Sequence, residues 1–325
     1  MNPWQAGRNL HMKQLKAVII GCGNIAGGYD SKEPLTEKAI RTHAQAYSLN
    51  PHVELIGAYD TDEKVGRQFC EFWKTPHFFG SISALMKECG PDIVSICSPN
   101  DTHYGIFNMV LNHKPKAIIC EKPLAMTASH AQEMSTNAKK QNVILAVNYM
   151  RRWDVELSNL FKRIESGEFG KFQGGRVLYT KGVYHNASHA INLFQKWLGN
   201  MTAVKIHKVL EEAQMDDLLA HFHLSFEKCE DIYFQAIDHK FYNYFEIDLL
   251  MTKARLFMPY GGSKIEIQWN NEVIKGSLNV AIGEVISNVV QCVLNKTPLK
   301  MESSEAVRTV EICDEIRKAA TECLN

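Results

Sequence analysis

"VIIGCGNIAGG", residues 18–28, is the stretch on which the fold turns. Three β-branched residues read as the end of a buried strand, and they run directly into Gly21-x-Gly23-x-x-Ala26. In a strand–turn–helix unit the first glycine permits the tight turn and the second lets a pyrophosphate approach the backbone. The small third residue lets the helix pack closely on the strand. The amides of Asn24 and Ile25 then open the helix and face the phosphates. A glycine loop can also be a plain tight connection, so the reading needs an acidic residue at the end of the second strand. Asp60, closing "VELIGAYD", fills that place, although it lies 34 positions after Ala26 where about 20 is usual. The excess falls on "GYDSKEPLTEKAIRT", residues 28–42, which is polar, contains Pro34 and reads as an insertion into the first crossover, either a solvated loop or a lid. Removing it joins the glycine loop to "HAQAYSLNPHVELIGAYD" at ordinary spacing. If Asp60 is more than a turn aspartate, its carboxylate suits the two ribose hydroxyls of NAD and repels the extra phosphate of NADP. Thr61 and Asp62 follow it rather than an arginine, so the expected cofactor is NAD.

Working outward, "KAVIIGCG", "VELIGAYD", "DIVSICSP", "KAIICEKP" and "VILAVNY" are short β-branched runs separated by helical stretches, which predicts a parallel sheet covered on both faces. From "KFQGGRVLYT" onward the runs lengthen and alternate, as in "AHFHLSFE", "DIYFQAID", "YFEIDLLM", "ARLFMPY" and "KIEIQWN". Alternation with one polar face predicts a large, mostly antiparallel sheet. The fold class is therefore α/β: a doubly wound Rossmann sheet followed by an α/β domain with a large, open antiparallel sheet. Expected divisions are an N-terminal extension at 1–14, a dinucleotide-binding domain at 15–150, and a substrate-binding and oligomerisation domain at 151–325. Helices are expected at "DVELSNLFKRIESGEFG", at "NASHAINLFQKWLG", and at "SSEAVRTVEICDEIRKAATEC", the last available to pack back on the first domain.

The bulk numbers point the same way. With 325 residues, two domains are the default. Lys plus Arg and Asp plus Glu both number 36, so there is no net field to hold nucleic acid or an anionic membrane, and a small-molecule partner is expected. The 9 cysteines are scattered and form no C-x-x-C pair, which suits reduced thiols in a cytoplasm. No apolar run approaches the length of a membrane span.

"DIVSICSPNDTH" (92–103), "AIICEKPLA" (117–125) and "AVNYMRRWD" (146–154) sharpen the reading. They resemble strand ends and the interdomain segment of the Gfo/Idh/MocA oxidoreductases, the family of glucose-fructose oxidoreductase and inositol dehydrogenase. The resemblance runs from about Lys16 onward, and Glu121-Lys122-Pro123 is its most specific element. It implies hydride transfer between a nicotinamide and a hydroxyl carbon of a sugar or cyclitol, in a homodimer or homotetramer. It also implies that Ser98, Pro99, Asn100 and His103 line the cofactor, with Glu121, Lys122 and Asn148 near the nicotinamide ribose and ring. Chemistry supports the lysine independently: an ammonium at a strand end can stabilise charge on the reacting oxygen. Pro123 forces Lys122 toward an extended backbone. The alternative for Lys122 is a surface lysine, and for His103 a packing residue at a helix start.

"KGVYHNASHAINLF" (181–194) puts His185 and His189 four apart, one turn and one face of a helix. By the resemblance His189 falls on the family's proton acceptor, while His185 replaces an aspartate and Asn192 stands where a second aspartate often follows. His185 is expected to recognise substrate, with Tyr184, Asn186 and Arg151 as further polar contacts; capping for Asn186 and solvation for the arginines are the plain alternatives. Metal is the rival explanation, but no H-E-x-x-H or cysteine pair supplies a third ligand, so none is expected. The expected function is an NAD(P)-dependent dehydrogenase of a sugar or nucleotide-sugar. The alternatives are a catabolic free-sugar or cyclitol dehydrogenase and a non-catalytic NAD(P)-binding sensor or scaffold.

Overall fold

The computed structural model describes residues 14–30, 40–210, 217–238, 244–278 and 282–324. The expected N-terminal extension up to residue 13, and residues 31–39 of the expected insertion, lie outside them. The chain divides into two compact units, Met1–Trp153 with Val280–Ser304, and Asp154–Asn279 with Glu305–Asn325.

In the first unit β1 (Leu15–Ile20), β2 (Val53–Tyr59), β3 (His77–Phe79), β4 (Ile93–Ile96), β5 (Ala117–Cys120) and β6 (Ile144–Val147) form one sheet. Its order is β3-β2-β1-β4-β5-β6, and every neighbouring pair is parallel. Ala17, Val18, Ile19 and Ile20 are fully buried, as a strand covered on both faces requires. Strand order reverses at β1, so the loops after β1 and β4 diverge there and open the crevice in which doubly wound sheets bind ligands. The crossovers are α1 (His43–Leu49), α2 (Glu63–Trp73), α3 (Ile82–Cys89), α4 (His103–Leu111) and α5 (Ala128–Lys140), followed by the short α6 (Met150–Trp153). Thr42, Asp62, Ser81 and Thr127 cap α1, α2, α3 and α5 with side-chain oxygens.

The expected helix at the glycine loop is present in two pieces. Gly27 N and Tyr29 N donate to Gly23 O and Asn24 O, giving little more than one turn. Then His43 N donates to Ile25 O (3.2 Å) and Ala44 N to Ala26 O (2.8 Å). An α-helix bonds i to i−4. These pairs are 18 apart (43−25 and 44−26), so 18−4 leaves 14 extra residues spliced into one helix. Subtracting them brings Asp60 to 34−14 = 20 positions after Ala26, the ordinary spacing. The base of the splice is tied by Asp30, which accepts from Arg41 Nε (3.0 Å) and Thr42 Oγ1 (2.6 Å).

The second unit begins with α7 (Val155–Glu165), which ends one turn earlier than its apolar pattern suggests because Gly167 and Gly170 both take positive φ. Strands β7 (Phe172–Tyr179), β8 (Met201–Val209), β9 (Ala220–Phe226), β10 (Cys229–Ala236), β11 (Phe245–Met251), β12 (Ala254–Met258), β13 (Lys264–Trp269) and β14 (Glu272–Ser277) form the second sheet. Its order is β14-β13-β12-β11-β7-β10-β9-β8, antiparallel throughout except for β7 with β10. The alternation seen in sequence is the burial pattern: Ala220, Phe222, Leu224 and Phe226 are buried, and His221, His223 and Ser225 lie on the other face. There His223 bonds His207 (2.6 Å) and Asp231 (3.0 Å). On the covered face Phe194 of α8 (Ser188–Leu198) meets the rings of Phe226 and Phe234 at 6.0 Å. Truncating such a buried Phe costs about 3–5 kcal/mol. α9 (Ile282–Asn295) groups with the first unit and α10 (Ser303–Leu324) chiefly with the second.

Candidate active site

The glycine loop is shaped by what touches it. Gly21 has φ +88°, and a Cβ there would lie 2.7–2.9 Å from main-chain atoms of Cys97 and Ser98, so only glycine lets the β1 and β4 loops pass. A Cβ at Gly23 meets no described residue within 4 Å, which leaves its backbone open among them to a ligand. Asp60 Oδ2 accepts from Cys22 N (2.7 Å) and Oδ1 from Asp62 N (2.9 Å), so this carboxylate braces the loop as well as the following turn. A carboxylate offers about four lone pairs and keeps acceptor capacity for hydroxyls.

At the end of β5 the triplet around Lys122 is held from both sides. Glu121 Oε1 accepts from Asn148 Nδ2 (2.7 Å) and lies 2.9 Å from His43 Nε2. His43 Nδ1 lies 3.0 Å from Ser95 Oγ, which in turn lies 2.7 Å from Tyr47 OH. Burial pushes the Glu121 carboxyl up, but the His43 and Asn148 bonds and the Lys122 charge outweigh it and hold it below its ordinary range. On the other side His103, fully buried, spans two carbonyls, Pro123 O at 2.9 Å and Ser98 O at 3.0 Å. Burial lowers the pKa of this imidazole. His103 thus lies between the loops after β4 and β5 with a ring nitrogen against a main-chain carbonyl of each, and as a neutral imidazole it donates to one of them. Thr102 Oγ1, 2.7 Å from Ser98 Oγ and 2.6 Å from Pro99 O, tightens the same corner beside Asn100. Asn148 Oδ1 is buried without a hydrogen-bond partner among the described residues. Arg151, half-buried on α6, has its pKa pulled down to about 10 by burial.

The residues fit a dinucleotide. The open backbone at Gly23, the remaining acceptor capacity of Asp60 and the orphaned Asn148 Oδ1 are what a pyrophosphate, a ribose and a nicotinamide amide require.

In the second unit the expected regular helix over His185 and His189 opens with a π turn, Val183–Ala187, before α8 begins. Such turns insert a residue and recur at functional sites. Asp217 drives the local geometry: it accepts from Tyr184 N (3.1 Å) and His185 N (2.7 Å). A Cβ on Gly182 would sit 2.3 Å from that carboxyl carbon. Burial raises the Asp217 pKa against those bonds. His189 is 8% exposed and packs edge-on to Phe245, with ring centroids 6.0 Å apart. His185 is half-buried. Tyr184, read as a substrate contact, is buried with its hydroxyl donating to Asp314 and the Arg317 guanidinium 5.1 Å over its ring. Asn186 Nδ2 donates to Tyr244 O (3.2 Å), and Asn192 Nδ2 to Thr309 Oγ1 (2.8 Å). Among the described residues no group of three His, Cys, Asp or Glu is arranged to hold a metal.

The structure thus gathers Gly21, Ser98, His103, Glu121, Lys122 and Asn148 in one unit, and Tyr184, His185, Asn186 and His189 in the other. Sequence reasoning missed His43, Ser95 and Tyr47, and also Asp217. His43 had one signal: it opens the segment that restores normal spacing once the insertion is removed.

The architecture of the first unit defines a dinucleotide-binding protein of the Rossmann class. Residues 15–149 match the Gfo/Idh/MocA family, described as an oxidoreductase family with an NAD-binding Rossmann fold. It is 28% identical over 157 residues to D-glucoside 3-dehydrogenase of Escherichia coli K12, covering 48% of this chain and 41% of that one. The chain spans about half or less of the length of such curated relatives. Among solved structures, UDP-N-acetylglucosamine 3-dehydrogenase from Acidithiobacillus ferrooxidans superposes with a TM-score of 0.78 at 16% identity, covering 97% of this chain and 100% of that one. A mutant 3-ketoreductase from Actinomadura kijaniata, in complex with TDP-benzene and NADP, gives 0.76 at 16% identity, covering 94% and 98%. At such identity the likeness is one of fold. No described helix is long and apolar enough to cross a membrane.

Proposed function

We propose that the protein is an NAD-dependent oxidoreductase that moves hydride between a hydroxyl carbon of a nucleotide-linked sugar and a nicotinamide. The observation that carries this reading is the bracing of Lys122: its neighbours on either side are fixed by buried side chains at the crevice end of β5. A surface lysine before a turn needs no such support. Bound nicotinamide supplies the hydride acceptor or donor. Gly21 and Gly23 admit the pyrophosphate, Asp60 receives ribose hydroxyls, and Glu121 and Asn148 orient the nicotinamide ribose and amide. Lys122 donates from Nζ to the reacting oxygen and stabilises the negative charge that grows there. An imidazole nitrogen of His189 takes the hydroxyl proton in the oxidative direction. His185 recognises substrate.

The nucleotide-sugar choice is made by analogy with the two solved neighbours named above, whose likeness to this chain is one of fold. A free glycoside is the second reading, favoured by the sequence likeness to D-glucoside 3-dehydrogenase. The test is NADH and NADPH titration by fluorescence, followed by turnover on a panel of nucleotide sugars, free glycosides and inositols. NADH is expected to bind more tightly, and nucleotide sugars to give the highest kcat/KM. Lys122→Ala should then lower kcat by roughly a hundredfold or more with NADH affinity little changed. Tight NADH binding without turnover of any panel member would leave a sensor or scaffold as the better account.

A further inference from the structure

We propose that His43 is a positioning residue of the nucleotide site, bonded through its main chain to the glycine-loop turn and through its side chain to Glu121. It fixes the nicotinamide half of the site relative to the phosphate half. The proposal rests on the reading above that Glu121 and Asn148 meet the nicotinamide ribose and amide.

The geometry is specific. His43 is the first residue of α1 after the splice, and its amide donates to Ile25 O (3.2 Å) on the turn that follows Gly23. Its ring is fully buried, with Nε2 2.9 Å from Glu121 Oε1 and Nδ1 3.0 Å from Ser95 Oγ. One set of hydrogen positions satisfies every member: Tyr47 O–H donates to Ser95 Oγ, Ser95 O–H to His43 Nδ1, and His43 Nε2–H to Glu121 Oε1. Asn148 Nδ2 donates to that same oxygen from the end of β6. Ser, His and Glu in this sequence of bonds have the composition of a nucleophilic triad. Ser95 has no exposed surface and its hydroxyl is already engaged by Tyr47, so it is not presented to a substrate. What the chain of bonds does is locate a carboxylate. A buried carboxylate must be fully partnered to stay ionised in place, and His43 is the partner that also touches the other half of the site. Without its ring, Glu121 keeps Asn148 but loses its registration to the glycine loop.

The test separates the two halves by ligand. NADH presents both, and ADP presents only the adenosine and phosphates. His43→Phe should raise the NADH dissociation constant about tenfold while changing that of ADP less than twofold, and His43→Gln, which keeps an amide donor toward Glu121, should return NADH to within threefold of wild type. Equal losses for NADH and ADP, no loss for NADH, or a glutamine variant no better than phenylalanine would each overturn the role. Circular dichroism establishes that the variants are folded. If His43→Phe does not fold, Ser95→Ala must show the same selectivity in smaller measure, and equal changes with the two ligands overturn the proposal. Glu121→Gln distinguishes the levels of the argument. If it binds NADH like wild type, the placement of Glu121 at the nicotinamide half fails and His43 falls with it. If it loses NADH selectively while His43→Phe loses both ligands in parallel, the His43 proposal alone is overturned.

Discussion

Asp60 braces the glycine loop and, in the proposed function, also receives the ribose. Because it receives the partly buried Cys22 amide and the exposed Asp62 amide, Asp60→Ala should narrow the proposed preference for NADH over NADPH and also cost roughly 1–3 kcal/mol of stability, the usual price of orphaning a partly buried donor. Chemical denaturation alongside the nucleotide titrations would detect both; a changed preference at unchanged stability would show that the loop bonds are incidental. Glu121 carries a pH signature. Its folded pKa lies below the ordinary value of 4.5, so its contribution to stability is complete above about pH 4.5 and is lost as pH falls through the folded value. The stability gap between wild type and Glu121→Gln should therefore be widest near neutrality and shrink below that pH. At the other half of the proposed machinery, His189→Ala should lower kcat for oxidation and remove the near-neutral limb of its pH profile, whereas His185→Ala should chiefly raise KM. Equal loss of kcat in both would contradict separate tasks.

Among elements, the glycine loop and the spliced helix make opposite demands. Gly21→Ala places a Cβ against the Cys97–Ser98 backbone at positive φ, and should destabilise the protein by about 2 kcal/mol or more. Gly23→Ala places one where no described residue lies within 4 Å, so stability should stay within about 0.5 kcal/mol while NADH affinity falls, since the methyl occupies the room that the proposed function gives to phosphate. A Gly23 variant with unchanged NADH binding would move the phosphates elsewhere. The hydrogen bonds from His43 and Ala44 across the splice predict that removing residues 29–42, which joins Gly28 to His43, leaves a continuous helix and a folded, NADH-binding protein. Loss of folding would mean that the splice supports the sheet rather than decorating it.

At the scale of the molecule, the first unit is not a contiguous stretch of chain. α9 belongs to it, and Ile282, Val285, Ile286, Val289 and Val290 have no exposed surface. Burying five such side chains is worth about 7–15 kcal/mol as an upper bound, comparable with the whole stability of an ordinary domain. A fragment ending at residue 153 should therefore be aggregation-prone and bind a hydrophobic dye. A soluble, cooperatively melting fragment would show that α9 is dispensable.

What the sequence determined by itself is local and periodic. The run into Gly21 and Gly23, the Asp60 spacing once the insertion is removed, and the switch from short buried runs to alternating ones specified both sheets, because strand burial is written in residue order with a period of two or none. Lys122 was singled out through its motif, and its role is part of the proposed function. The tertiary structure alone decided which polar groups meet. His43, Ser95 and Tyr47 come from α1 and β4, Glu121 from the end of β5 and Asn148 from the end of β6, and strand order rather than sequence distance brings them together. Asp217 reaches the His185 amide from 32 residues away, and Tyr184 is claimed by α10, 130 residues distant. A hydrogen bond forms over about 3 Å in space, and nothing in the order of residues encodes that distance until the chain has folded.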